Sequence, residues 1–274
     1  MTDNQVFKLL SKFAPARDVK IILREKKLGL FGALWTALRL WRGVPVAKII
    51  GRKWFYGLEF RTNKYTLDPR PDSETLVEAV LRNEKNIRLV LDLGTGTGCL
   101  LSAILKHAPN ATGVGIDKSW QARRVARKNI HALGLADRAE IINLSFRGLI
   151  AESRLTKSPR LARHNINLSP AVRVRGPSLR DDNIIIIANP PYIAEGDLRV
   201  NLGARHDPKI ALYGGRDGLK FYRDIAELKM DAKLYLEIGV GQESAVRRIF
   251  EGAGWRFATK HKDLSGRVRV LAFI

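Results

Sequence analysis

A single cysteine, Cys99, stands among 274 residues. No internal disulfide or multi-cysteine zinc site can form, and a reducing compartment is implied. Long apolar runs are also missing. The longest, Ile184-Ile185-Ile186-Ile187-Ala188, is strand length and far below the ~20 residues of a membrane span. The first residues, MTDNQVFKLLSKFAPARD, mix acids and bases from the outset, so no signal peptide is expected. Acidic residues are scarce, 27 against 48 Lys and Arg, which leaves a formal charge of +21. Hydrophobic residues at 45% and aromatics at 8% can nevertheless fill a sizeable core, which excludes wholesale disorder. The length suits one full domain plus a small second one. The expectation is a cytoplasmic protein without membrane contact or metal.

The positive charge is concentrated. Residues 1–50 carry ten basic and three acidic side chains, and residues 153–180 carry seven basic and none acidic. Together they hold two thirds of the excess. Basic surfaces gain affinity for anions by releasing counterions, so RNA, a ribosomal particle or nucleotide phosphates are natural partners. General basicity or solubility is the alternative reading.

Residues 1–50 read as a small helical domain of two or three helices. Val6, Leu9, Leu10 and Phe13 recur at i, i+3, i+4 and i+7, as do Phe31, Leu34, Trp35 and Leu38, each set on one helix face. Pro15 and Gly29 punctuate between helices. Residues 51–74 form a linker built on Lys53–Phe60, an aromatic-rich β-hairpin signature with Gly57 at its centre.

The remainder, 75–274, alternates strands and helices. Strands are expected at Arg88–Leu93, Thr112–Asp117, Ala139–Asn143, Asn183–Ala188 and Lys233–Ile238, with helices at Cys99–His107, Trp120–Leu133, Phe221–Leu228 and Glu243–Ala253. Continuous apolar strands separated by helices mean an α/β fold with a mostly parallel sheet. The last two strands, Phe257–His261 and Arg267–Ile274, are joined by Ser265-Gly266 and should pair antiparallel. Residues 152–182 break this rhythm with Ser-Pro and Gly-Pro steps among arginines, as a long basic insert would.

Chemistry enters at Val90-Leu91-Asp92-Leu93-Gly94-Thr95-Gly96-Thr97-Gly98, at the end of the first core strand. Glycines there let the backbone turn sharply and come close to a ligand. The spacing is neither the dinucleotide fingerprint, because Cys99 occupies its third glycine, nor a phosphate loop, because no Gly-Lys-Ser/Thr follows. Asp117, at the tip of the next strand, can accept hydrogen bonds from both hydroxyls of a ribose. A nucleoside cofactor without phosphates fits both features. The pattern resembles the S-adenosylmethionine site of Rossmann-like class I methyltransferases. Cys99, with no His or metal-type partner nearby, is read as packing.

Asn189-Pro190-Pro191-Tyr192 directly follows the strand Ile184–Ala188 and should face the same crevice, since ligands of open α/β sheets lie outside the carboxyl ends of strands. Two prolines fix the backbone, remove two N–H donors and leave carbonyls free to accept. A planar NH₂ group presented here can donate one hydrogen to the Asn189 side-chain oxygen and the other to the Pro190 carbonyl. Such a nitrogen is a poor nucleophile, so orientation and acceptors aimed at its developing charge matter more than a base. Tyr192 would pack on the flat group. An ordinary Pro-rich turn is the bland reading of the same residues.

Asn-Pro-Pro-Tyr marks methyltransferases of planar nitrogens. The stretches Gly51–Phe60, Asp68–Glu74, Asp207–Leu219, Leu236–Gly239 and Asp263–Val270 resemble the peptide chain release factor N5-glutamine methyltransferases (HemK/PrmC). The resemblance runs from about Arg42 to the end, apart from residues 152–182. It implies S-adenosylmethionine-dependent protein methylation in translation termination: methyl transfer to the Gly-Gly-Gln glutamine of release factors 1 and 2 by a monomer whose residues 1–50 help dock the substrate. It also implies cofactor contacts from Asp92, Gly94, Thr95, Gly96, Thr97, Gly98, Asp117, Phe146 and Asn189. Catalysis would rest on Asn189, Pro190 and Tyr192, with Pro191 joining them in substrate binding.

The chain departs from that family at Ser145 (commonly Asp), Asp68 (usually apolar), Asp207 (commonly Glu) and Lys229–Lys233, which lacks a Gly-rich turn. The basic insert has no family counterpart. It is either a solvated loop without function or an arm attracting ribosomal RNA or an acidic release factor face. Two other transferase readings stand beside the main one: an amino methyltransferase of rRNA or DNA, and a methyltransferase of a ribosomal protein glutamine. A module that binds without catalysis is the remaining alternative.

Overall fold

The computed structural model describes residues 2–145, 148, 183–197, 203–228 and 230–274. Phe146, Lys229 and the basic insert at 152–182 lie outside these residues.

Helices α1 (Asp3–Leu10), α2 (Ala16–Glu25), α3 (Leu30–Trp41) and α4 (Val46–Ile50) open the chain. A reciprocal Thr2/Gln5 capping box starts α1, satisfying two of its free N–H groups. Val6, Leu10, Val19, Ile22, Leu40 and Ile49 are buried together between the four helices. The α4 turn is too short for periodicity to announce. The apolar set on α3 does share a face, but the exposed one: Phe31 is 86% exposed and Trp35 60%. Ala33, Thr36 and Ala37 are buried instead. Small side chains, with Leu40, form the packed face of α3, and its aromatics are left facing solvent.

Strands β1 (Arg52–Phe55) and β2 (Leu58–Arg61) form a hairpin closed by Tyr56 and Gly57, both at positive φ, which matches the strand twist. Phe55 and Phe60 are buried against α5 (Glu74–Asn83) and its neighbours.

The main sheet comprises β3 (Leu89–Leu93), β4 (Thr112–Ile116), β5 (Ala139–Ile142), β6 (Ile184–Ala188), β7 (Lys233–Glu237), β8 (Phe257–Lys262) and β9 (Val268–Phe273). Their order is β5-β4-β3-β6-β7-β9-β8, parallel from β5 to β7, with β9 antiparallel to both neighbours. Helices α6 (Cys99–His107), α7 (Trp120–Ala132), α8 (Lys220–Ala226) and α9 (Glu243–Gly252) complete the layers. On β6, Ile184, Ile186 and Ala188 enter one core and Ile185 and Ile187 the other. Burial on both faces explains a strand written almost wholly in isoleucine.

The register positions the site. Leu93 of β3 pairs with Ile116 of β4 on one side and Ala188 of β6 on the other. The next residues, Gly94, Asp117 and Asn189, therefore leave the sheet side by side. Strand order reverses between β3 and β6, which is where open α/β sheets hold ligands.

Candidate active site

Gly94, Gly96 and Gly98 all adopt positive φ, so the chain folds back over the end of β3 before α6 begins. Beneath this turn the Asp92 carboxylate, 1% exposed, accepts a 2.6 Å hydrogen bond from the Thr95 hydroxyl. Its other oxygen is buried without a partner among the described residues. Burial, reinforced by the charge of Asp117, raises its pKa to about 7. Asp117 accepts from the Gly96 amide (3.1 Å) and the Ser119 amide (2.8 Å), so its carboxylate is fixed against the turn. Its pKa is also raised by burial, against the pull of those two amides.

Gly94, Gly96, Asp117, Asn189, Pro190 and Pro191 line one cavity of about 390 Å³, with apolar Ile116, Ala122 and Leu144 beyond Asp117. Asp92, Thr95, Thr97 and Gly98 lie behind this wall, where they shape the turn. Phe146 is outside the described residues. Cys99 also serves as packing: burial raises its thiol to about 12.

A second cavity of about 310 Å³ opens on the other side of the Asn189 corner, lined by Arg70, Asp72, Tyr192 and Arg269. Leu67, Asn189, Pro190 and Ala211 belong to both cavities. The corner is thus the partition between two chambers.

Several residues that sequence reasoning passed over hold that partition in place. Ser73, buried at the foot of α5, accepts a 3.0 Å hydrogen bond from Asn189 Nδ2. With its NH₂ engaged, Asn189 keeps Oδ1 as a free acceptor. Glu237, 1% exposed at the end of β7, lies behind this pair. Burial raises its pKa to about 7, opposed by the Ser73 hydroxyl, Arg269 and the Tyr192 hydroxyl. Burial likewise raises Tyr192 to about 12, so its phenol stays neutral. Gln242 donates to the Tyr192 carbonyl at 2.9 Å and pins the end of the corner.

The loop Gly214–Gly218 packs on the back of the same segment. A Cβ at Gly214 would lie 2.4 Å from the Pro191 carbonyl oxygen, and one at Gly218 only 2.3 Å from that of Tyr192. Backbone touches backbone there, which only glycine permits.

Two of the sequence departures are answered by one lysine. Lys48 of α4 is buried and its Nζ lies 2.8 Å from Asp68 and 3.0 Å from Asp207. It also donates to the Asn63 carbonyl at 2.6 Å, and Arg70 adds a 2.6 Å bond to Asp207. Buried ions persist only when paired in this way. The cluster joins the helical region to the loops that carry Leu67 and Pro208 into the first cavity.

The residues present fit an adenosyl cofactor. An acid faces the cavity beside an apolar recess, and the backbone of Gly94 and Gly96 lines it with no side chain in the way.

Residues 67–152 match the family described as Methyltransferase small domain. The chain is 36% identical over 238 residues to the release factor glutamine methyltransferase of Cereibacter sphaeroides, an alignment that spans 83% of this chain and 73% of that protein. The corresponding protein of Agrobacterium fabrum is also 36% identical, over 84% of this chain and 74% of its own length. A bifunctional methyltransferase of Rickettsia felis is 32% identical, with only 45% of its length covered. Among solved structures, the hMettl16 catalytic domain crystallised with an RNA hairpin superposes with a TM-score of 0.55 at 15% identity, over 98% of this chain and 90% of the other. That likeness concerns the fold.

Proposed function

The chain belongs to the release factor glutamine methyltransferase family, and from that membership we propose that it methylates the side-chain amide of the Gly-Gly-Gln glutamine in class 1 peptide chain release factors. S-adenosylmethionine, when bound, supplies a methyl group on a sulfonium that leaves as a neutral sulfide. Gly94, Gly96 and Asp117 would hold it in the first cavity, and the glutamine would enter through the second.

The observation that carries this reading is the place of Asn189 and Pro190 in the wall shared by both chambers. A glutamine amide reaching that wall donates one hydrogen to Asn189 Oδ1 and the other to the Pro190 carbonyl. Its nitrogen is then turned toward the neighbouring cavity. An amide nitrogen is weakly nucleophilic, so holding it in line supplies much of the acceleration. The same two acceptors stabilise the positive charge that develops on nitrogen as the N–C bond forms. Tyr192, neutral and packed beside Glu237, closes the chamber against the amide plane.

The proposed substrates are release factors 1 and 2, the acting form a monomer and the compartment the cytoplasm. Among the described residues no helix is long and apolar enough to cross a membrane. The exposed α3 face with Phe31, Leu34 and Trp35 is the docking surface assigned to the helical region, since contiguous apolar exposure marks interaction sites. A ribosomal RNA contact through the basic insert falls on residues outside those described.

Incubation with methyl-labelled S-adenosylmethionine, recombinant release factor and bulk RNA tests the assignment. Label in the tryptic peptide containing Gly-Gly-Gln is expected. Label in RNA would replace the proposal with a nucleic-acid methyltransferase, and no label with no cofactor binding would remove it.

A further inference from the structure

A third cavity, of about 590 Å³, lies outside both chambers, between the β1–β2 hairpin and α7. It is a built cleft. Asn129 of α7 accepts from the Arg61 amide at 2.9 Å and donates to the Arg61 carbonyl at 3.0 Å, which fastens one wall to the other. Its lining is basic, with Arg52, Arg61, Arg124 and Lys128 against one acid, Glu59. Glu59 is already paired with Arg52 at 3.2 Å, and Arg52 also reaches Glu25. Among the described residues Arg61, Arg124 and Lys128 have no carboxylate partner. On α7, Arg124 and Lys128 are one turn apart and exposed on the same face.

Two aromatic rings complete the cleft. Trp120 is 58% exposed and Tyr65 43%, although both are large enough to favour burial. Lys64 adds a further cation 5.0 Å from the Tyr65 ring centre.

We propose that this cleft binds single-stranded RNA, with bases stacked on Trp120 and Tyr65 and phosphates held by Arg61, Arg124 and Lys128. Unpaired cations alone would suit any anion, including an acidic peptide. Exposed rings among the cations favour nucleotides, since every base has a flat face to stack and a carboxylate does not. The volume suits a small ligand or a nucleotide or two, and a duplex is too wide for it. The cleft is separate from the methyl-transfer chambers, and Tyr65 is the one aromatic side chain lining both it and the first cavity.

Fluorescence anisotropy with a labelled oligouridylate of about ten nucleotides, titrated across a range of salt concentrations, tests the site. Arg124→Glu/Lys128→Glu should weaken binding about ten-fold or more and flatten the log–log salt slope by roughly 1.4, two phosphates at ~0.7 each. Trp120→Ala should weaken it several-fold with the slope unchanged, the mark of lost stacking. Arg17→Glu/Lys20→Glu on α2 makes the same charge change elsewhere and should cost less than about two-fold. Equal losses from both pairs would overturn the proposal in favour of net charge alone. So would an oligoglutamate peptide that competes with the RNA while Trp120→Ala has no effect, an outcome that would mark an acidic protein face as the occupant. Methyl transfer to release factor, assayed in parallel, should be retained in Arg124→Glu/Lys128→Glu and in Trp120→Ala, so loss of RNA affinity is distinguishable from failure of the proposed reaction. Proportional loss of both would overturn the separation of the two sites.

Discussion

Asn189 Nδ2 donates a 3.0 Å hydrogen bond to Ser73 Oγ across 116 residues of sequence, which leaves Oδ1 free to accept in the wall shared by the two chambers. One hydroxyl therefore decides which way the amide points. Ser73→Ala should lower kcat about ten-fold, the worth of one lost hydrogen bond, with cofactor affinity unchanged and partial rescue by Ser73→Thr. Asn189→Ala should abolish transfer while cofactor still binds. Turnover with release factor, read against calorimetric cofactor binding, separates these effects. An Asn189→Ala enzyme that keeps most of its turnover would refute the orientation mechanism.

Asp117 faces the cavity with both carboxylate oxygens already braced by backbone amides. Asp117→Ala should weaken cofactor binding roughly ten- to a hundred-fold, the range for hydrogen bonds to a charged acceptor. Glutamine positioning should be left alone, so kcat at saturating cofactor should change little. A calorimetric titration of Asp117→Ala against wild type checks the affinity.

Lys48 is clamped between Asp68 and Asp207 in the interior. Lys48→Met strands buried carboxylates and should cost about 3–5 kcal/mol of stability. Lys48→Met/Asp68→Leu removes one of the stranded acids, and Arg70 still pairs with Asp207. Denaturant unfolding should show the double variant recovering more than half of the loss.

Glu237 and Asp92 have pKa values raised to about 7 by burial, well above those of the unfolded chain. Each binds its proton more tightly folded than unfolded. Their contribution to stability is complete below pH ~4 and is lost as pH rises through about 7. The Tm should therefore fall between pH 5 and 8. Glu237→Gln, which stays neutral, should make that fall shallower by about one proton's worth of slope. An unchanged slope would mean that Glu237 is ionised throughout.

Much of this fold is legible from local pattern. The isoleucine run of β6, the glycine turn and the doubled proline each declare themselves within a few residues, because a strand buried on both faces, a positive φ and a missing N–H are local demands. The antiparallel closing pair is announced by Ser265-Gly266 in the same way. The supports are not local. Ser73 meets Asn189, and Lys48 meets Asp207, only after the sheet has assembled, and no periodicity encodes either contact. Asp68 reads as an oddity in sequence and becomes intelligible once Lys48 stands beside it. The face of α3 deceives for a different reason. Its alanines pack and its aromatics do not, so hydrophobic spacing identifies a stripe without saying which stripe goes inside.

Bare hydrogens at positions 214 and 218 are all that let the loop rest on the proline corner. Loss of function can therefore be diagnosed from sequence in a way that the Asn-Pro-Pro-Tyr signature alone would miss. A sister protein with the signature intact but alanine or serine at either position should be treated as a decoy: a scaffold that still presents the motif after the foundation beneath it has been displaced.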